Sequence, residues 1–124
     1  MKSDIETRKD IEFLVNSFYD KVRRNPVLNY IFEDVVKVHW ESHLPRMYDF
    51  WGSILLGEHS FSGNPMQKHV ALSKRTPLTE KEFEEWLRVF RETVDALFEG
   101  RKAEEAKTRA EIIARLMLHK IQSA

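Results

Sequence analysis

Apolar residues recur at three- and four-residue spacing along almost the whole of this sequence, and no useful stretch alternates apolar with polar positions. Such a chain buries a core only by packing helices. Ile11, Leu14, Val15, Phe18 and Val22 make one stripe, and Trp40, His43, Met47, Phe50, Trp51 and Ile54 a wider one. Phe83, Trp86, Leu87, Phe90, Val94 and Leu97 make a third, and Ala106, Ala110, Ile113, Met117 and Ile121 a fourth. Only four Gly and four Pro punctuate the 124 residues, so the elements should be long.

The boundaries follow from local chemistry. Ser3-Asp4-Ile5-Glu6 reads as a capping box for a first helix that runs to about Arg24, where Asn25-Pro26 stops it. Val27 to Phe32 reads as one further helical turn. Pro45 fits the second helix if that helix begins near Ser42, and otherwise marks a kink. Gly57 to Gly63 is a loop, after which Asn64-Pro65 should cap a short helix carrying His69. Ser73 to Leu78 is another loop, and Thr79-Glu80-Lys81-Glu82 is a second capping box. Gly100 should close the third long helix, and the last begins at Arg101. With no repeats or linkers, the expectation is one all-α domain over residues 1–124, with four long helices and two short pieces.

Twenty basic residues balance twenty acidic ones, which leaves no net field to attract nucleic acid or a membrane surface. Cysteine is absent, which excludes disulfides, thiolate metal sites and cysteine nucleophiles. No apolar run approaches a bilayer span, and the charged first ten residues do not resemble a signal peptide. A cytoplasmic protein is expected, as a monomer or weak dimer. The unusual feature is aromatic: eight Phe, three Tyr and three Trp in so small a chain. That many rings serve either dense core packing or a large flat ligand.

Without Cys or a Gly-rich phosphate loop, the histidines at 39, 43, 59, 69 and 119 are the first candidates for chemistry. His39 and His43 share a helix face, but such a pair without a nearby carboxylate motif is weak evidence for zinc. The carboxylates fall mostly on polar faces, where solvation explains them. His69 differs in its company: a short helix with Met66 and Leu72 three residues to either side. One imidazole set against a ring-rich wall is how a protein holds haem iron from one side. Tyr19, His43 and Trp86 each place a donor on an otherwise apolar face. Taken singly, each is more often an ordinary core residue; together with His69 they would form a ligand pocket.

In order and spacing these residues resemble a truncated globin of group III. The signature runs from Phe18-Tyr19 and Val22 through Asn25-Pro26-Val27-Leu28 to Ile31-Phe32. His43-Leu44, Met47, Phe50-Trp51 and Leu55-Leu56-Gly57 follow, then Phe61-Ser62-Gly63-Asn64-Pro65, His69 and Leu72. Phe83, Trp86-Leu87, Phe90 and Thr93-Val94-Asp95 complete it within one helix. Phe61 stands where Tyr is common in the family.

The resemblance implies a globin-like two-on-two helical sandwich around haem b. His69 would be the proximal iron ligand, with Tyr19, His43 and Trp86 as distal donors. Phe32, Met47, Phe50, Leu72, Phe83 and Trp86 would line the haem, while Lys74 and Arg75 carry charge suited to its propionates. The implied ligand is dioxygen or another diatomic, and the implied electron donor a reductase. Two or three donors to a bound diatomic would slow its escape on the order of tenfold to a few hundredfold. Such a pocket suits tight retention, peroxidase-like turnover or nitric oxide dioxygenation. Two rivals remain: a bis-histidine haem protein for electron transfer or sensing, using His69 and His43, and a haem-free helical interaction module.

Overall fold

The computed structural model describes residues 2–29, 40–58 and 79–123, the side chains of 120–123 excepted. Four helices account for most of them: α1 (Arg8–Arg24), α2 (Trp40–Leu55), α3 (Glu80–Leu97) and α4 (Arg101–Ser123). There is no strand among the described residues. Helix α1 packs against both α2 and α3, α3 lies along α4, and α2 touches α4.

Helix α1 begins later than the Ser3–Glu6 pattern suggests. Thr7 is its N-cap, and the capping box is Thr7 with Asp10. The Asp10 carboxylate accepts from the backbone of Glu6 at 2.9 Å and of Thr7 at 3.0 Å. The earlier residues are recruited elsewhere. Ile5 is fully buried, and the Asp4 carboxylate accepts from the amides of Lys102 at 3.0 Å and Ala103 at 2.9 Å. Asp4 therefore caps α4 from the other end of the chain, satisfying donors that helix geometry leaves open.

Gly100 serves the same junction. Helix α3 stops at Leu97, with the amide of Phe98 closing on the carbonyl of Val94 at 2.8 Å. Gly100 instead starts α4, its carbonyl accepting from Glu104 at 3.0 Å. Its φ of +148° is disfavoured for other residues, and a Cβ there would lie 2.5 Å from the Asp4 Cγ. The glycine is what lets the aspartate approach.

Pro45 lies inside α2 rather than in its first turn, so the helix forgoes one internal hydrogen bond at that point. The Gly57 φ of +71° lets the chain leave α2, where the Gly52 carbonyl accepts from both Leu56 and Glu58. Thr79 opens α3 as its sequence suggests, with the Glu82 carboxylate accepting from the Thr79 amide at 2.9 Å.

Aromatic rings join three of the helices. Phe90 of α3 stacks on Trp51 of α2 at 4.9 Å and on Trp86 at 5.7 Å, and meets the edge of Phe18 of α1 at 5.2 Å. Such pairs add about 0.5–1.5 kcal/mol each beyond the apolar area they bury. Helix α4 closes the other side with small residues: Ala103, Ala106, Ala110 and Ala114 are buried with Met117, so its backbone comes close to α3. Ile113 is only half-buried because Ala114 takes the inward position, and the side chain of Ile121 lies outside the described residues.

The turn after α1 is locked to α3 by a polar contact. The Asn25 side-chain oxygen accepts from the amide of Val27 at 2.8 Å, and its amide nitrogen donates to Glu85 at 2.6 Å. Hydrogen bonds from Arg88, then from Asn25, hold the Glu85 carboxyl at about 2, against an ordinary 4.5. A depressed folded-state value means the contact stabilises fully above about 4.5 and loses its contribution as pH falls towards 2. Glu85→Gln should therefore lower stability at neutral pH and flatten its decline over that window in urea titrations. Parallel pH profiles for parent and variant would show that Glu85 contributes nothing to acid sensitivity.

Candidate functional site

The inner faces of α1, α2 and α3 converge on a ring cluster that contains all three candidate donors. Tyr19 follows Val15 by one turn of α1 and is buried. Its ring meets Phe18 at 4.9 Å, the His43 imidazole at 5.1 Å with planes at 82°, and Trp40 at 5.5 Å. Trp40 and His43 lie three residues apart on α2, with ring centres 5.7 Å apart. Trp86 joins from α3 through Phe18, edge-on at 5.6 Å. Tyr19 and His43 are thus in direct contact, and Trp86 is one ring away.

Electrostatics decide what Tyr19 can do. Burial pushes its phenol well above the ordinary tyrosine value, so the hydroxyl stays protonated at physiological pH. It can donate a hydrogen bond but cannot serve as an anionic base. The Nε2 of His43 and the Nε1 of Trp40 are buried in the same cluster.

The other lining candidates are placed around this centre. Met47 and Phe50 of α2 are half-buried against the core, Phe50 meeting Trp51 edge-on at 5.4 Å. Phe83 is half-buried on α3, one turn before Trp86 and Leu87. The proximal candidate His69 lies outside the described residues, as do Phe32, Phe61, Leu72, Lys74, Arg75 and His39. Among the described residues no group of three His, Cys, Asp or Glu side chains could hold a metal ion. A ring of charge secures the far end of α2, where Arg8 reaches Asp49 at 2.6 Å and Glu58 at 2.7 Å.

Sequence reading placed Trp40 on the α2 stripe but gave it no part in the site. Its contacts with Tyr19 and His43 make it a member, and the signal was its position one turn before His43. Arg23 was missed altogether; its guanidinium lies 4.9 Å from the centre of the Trp40 ring.

A donor-bearing ring cluster between crossed helices is an architecture of globins, and comparison with known proteins agrees. The model of the bacterial-like globin family matches residues 4–122. The chain belongs to the bacterial-like globin family, whose members are haem-binding proteins. Within it, the chain is a truncated globin of group III. It is 31% identical over 117 residues to the group 3 truncated hemoglobin of Campylobacter jejuni, covering 92% of this chain and 90% of that one. Against the crystal structure of the group III truncated hemoglobin from Campylobacter jejuni, the TM-score is 0.85 at 28% identity, covering 98% of this chain and 95% of that one. No helix among the described residues is long and apolar enough to cross a membrane.

Proposed function

We propose that this chain, as a single domain over residues 1–124, binds haem b through His69 and retains a diatomic gas, dioxygen foremost, under Tyr19, His43 and Trp86. The observation that carries the distal part of this reading is the contact between the buried Tyr19 ring and the His43 imidazole at 5.1 Å. The residues present suit such a group chemically. Met47 and Phe50 of α2 and Phe83 of α3 offer apolar surface to a flat macrocycle, and Tyr19 is a buried neutral donor.

When bound, haem would supply a redox-active iron able to take a diatomic ligand. The remaining work is done by the chain. Tyr19 keeps its proton and donates it in a hydrogen bond to negative charge on the ligand. Trp86 contributes an indole N–H, which donates only. His43 supplies a further donor from α2, and Phe18 and Phe90 back the cluster and exclude water. The proposed lining is completed by Phe32, Leu72 and Arg75. A cytoplasmic location, a monomer or weak dimer and a reductase as electron donor go with this reading.

The reduced visible spectrum tests it against the bis-histidine alternative. If His43 stays off the iron, the reduced protein should show broad visible absorption that changes at once on addition of carbon monoxide. Sharp, split bands with slow carbon monoxide uptake would place His43 on the iron and overturn the ligand-retention reading.

A further inference from the structure

We propose that Trp40 is a positioning residue for His43 and that Arg23 holds Trp40 in place. The inference rests on the proposed reading of the pocket and assigns to it two residues that are not themselves expected to touch the ligand. Tyr19 and Arg23 are one turn apart on α1 and therefore share a face. Between them they engage one indole: the Tyr19 ring lies 5.5 Å from Trp40, and the Arg23 guanidinium stands 4.9 Å from its centre.

His43 completes the wedge. Its imidazole packs edge-on against Trp40 at 5.7 Å and 80°, and against Tyr19 at 5.1 Å and 82°. Two rings set nearly perpendicular to the imidazole restrict the staggered positions it can occupy. For the imidazole to leave the cluster, it must break both edge contacts or Trp40 must move with it. Movement of Trp40 in turn breaks the cation–π contact with Arg23. Arg23 is exposed, so its contact can be altered from the surface without opening the core.

The strength of that contact sets the expected effect. A cation–π pair at an exposed site changes a two-state ratio about two- to fivefold. The infrared stretching band of carbon monoxide on the reduced, haem-loaded protein reports the field at the ligand, and with it the fraction of molecules whose imidazole faces inward. Arg23→Gln should shift the ratio of inward to outward bands about two- to fivefold towards outward. Trp40→Leu should shift it further, and Trp40→Phe should restore most of the parent pattern. In a His43→Leu background, Trp40→Leu should add nothing.

If Arg23→Gln and Trp40→Leu leave the bands as in the parent while His43→Leu moves them, the positioning role is wrong and the pocket stands. An equal effect of Trp40→Leu with and without His43 would also overturn it, because Trp40 would then act on the ligand directly. If His43→Leu itself moves nothing, the imidazole does not face the ligand, and the role of His43 falls together with that of Trp40. Arg23→Gln leaves every buried ring in place, so it decides the matter even if Trp40→Leu does not fold.

Discussion

His69→Ala should purify colourless and fail to hold added hemin, while its far-ultraviolet circular dichroism keeps the helical signal of the parent. Removal of the imidazole proposed as proximal would take away the iron's bond to the chain. His69→Gly with free imidazole supplies the control, because imidazole in solution should restore haem binding if the lost group was a ligand. Full haem content and an unchanged spectrum in His69→Ala would refute the proximal assignment.

The second large effect is on ligand release. Tyr19→Phe removes one hydroxyl and keeps the ring that packs on Phe18, Trp40 and His43. A donor to a ligand carrying negative charge is worth about 1.5–3 kcal/mol, so oxygen should leave on the order of ten to a hundred times faster. Trp86→Phe removes the indole donor and should also accelerate release, with a smaller factor if Tyr19 bears most of the charge. It also trims the surface packed on Phe18 and Phe90, so its stability change should be separated from the kinetic one. Stopped-flow displacement of oxygen by carbon monoxide measures both rates. Unchanged rates in both variants would remove the distal donors from the mechanism while leaving the fold untouched.

Much of the frame is written locally. Asn25-Pro26 ends α1 because proline disfavours helix in the residue before it, and Asn25 is the cap seen in the structure. Thr79 and Glu82 open α3 through contacts within one turn. These signals depend on neighbours in sequence, and sequence exposes them. Ser3–Glu6 carries the same kind of pattern, yet Thr7 and Asp10 win because Ile5 enters the core and Asp4 is needed at α4. Nothing local distinguishes the two boxes; contacts almost a whole chain length away do. Gly100 is misread for the same reason, since its conformation answers to Asp4 and not to the helix it follows.

The site divides along the same line. Tyr19, His43 and Trp86 are legible as donors on apolar stripes, and family resemblance collects them into one pocket. Periodicity alone does not say that Tyr19 and His43 touch, because that depends on how α1 crosses α2. Trp40 is visible one turn before His43, but its pairing with Arg23 bridges two helices. Arg8 with Asp49 and Glu58 is equally hidden, being a contact between residues far apart in the chain.

The most direct test of the central claim is a hemin titration of the purified chain followed by reduction and exposure to carbon monoxide. Saturation at one hemin per chain, with a Soret band that shifts on reduction and sharpens with carbon monoxide as a histidine-ligated haem does, is the expected result. Absence of a Soret band above that of free hemin, at any ratio, would contradict it and leave the haem-free helical module as the surviving reading.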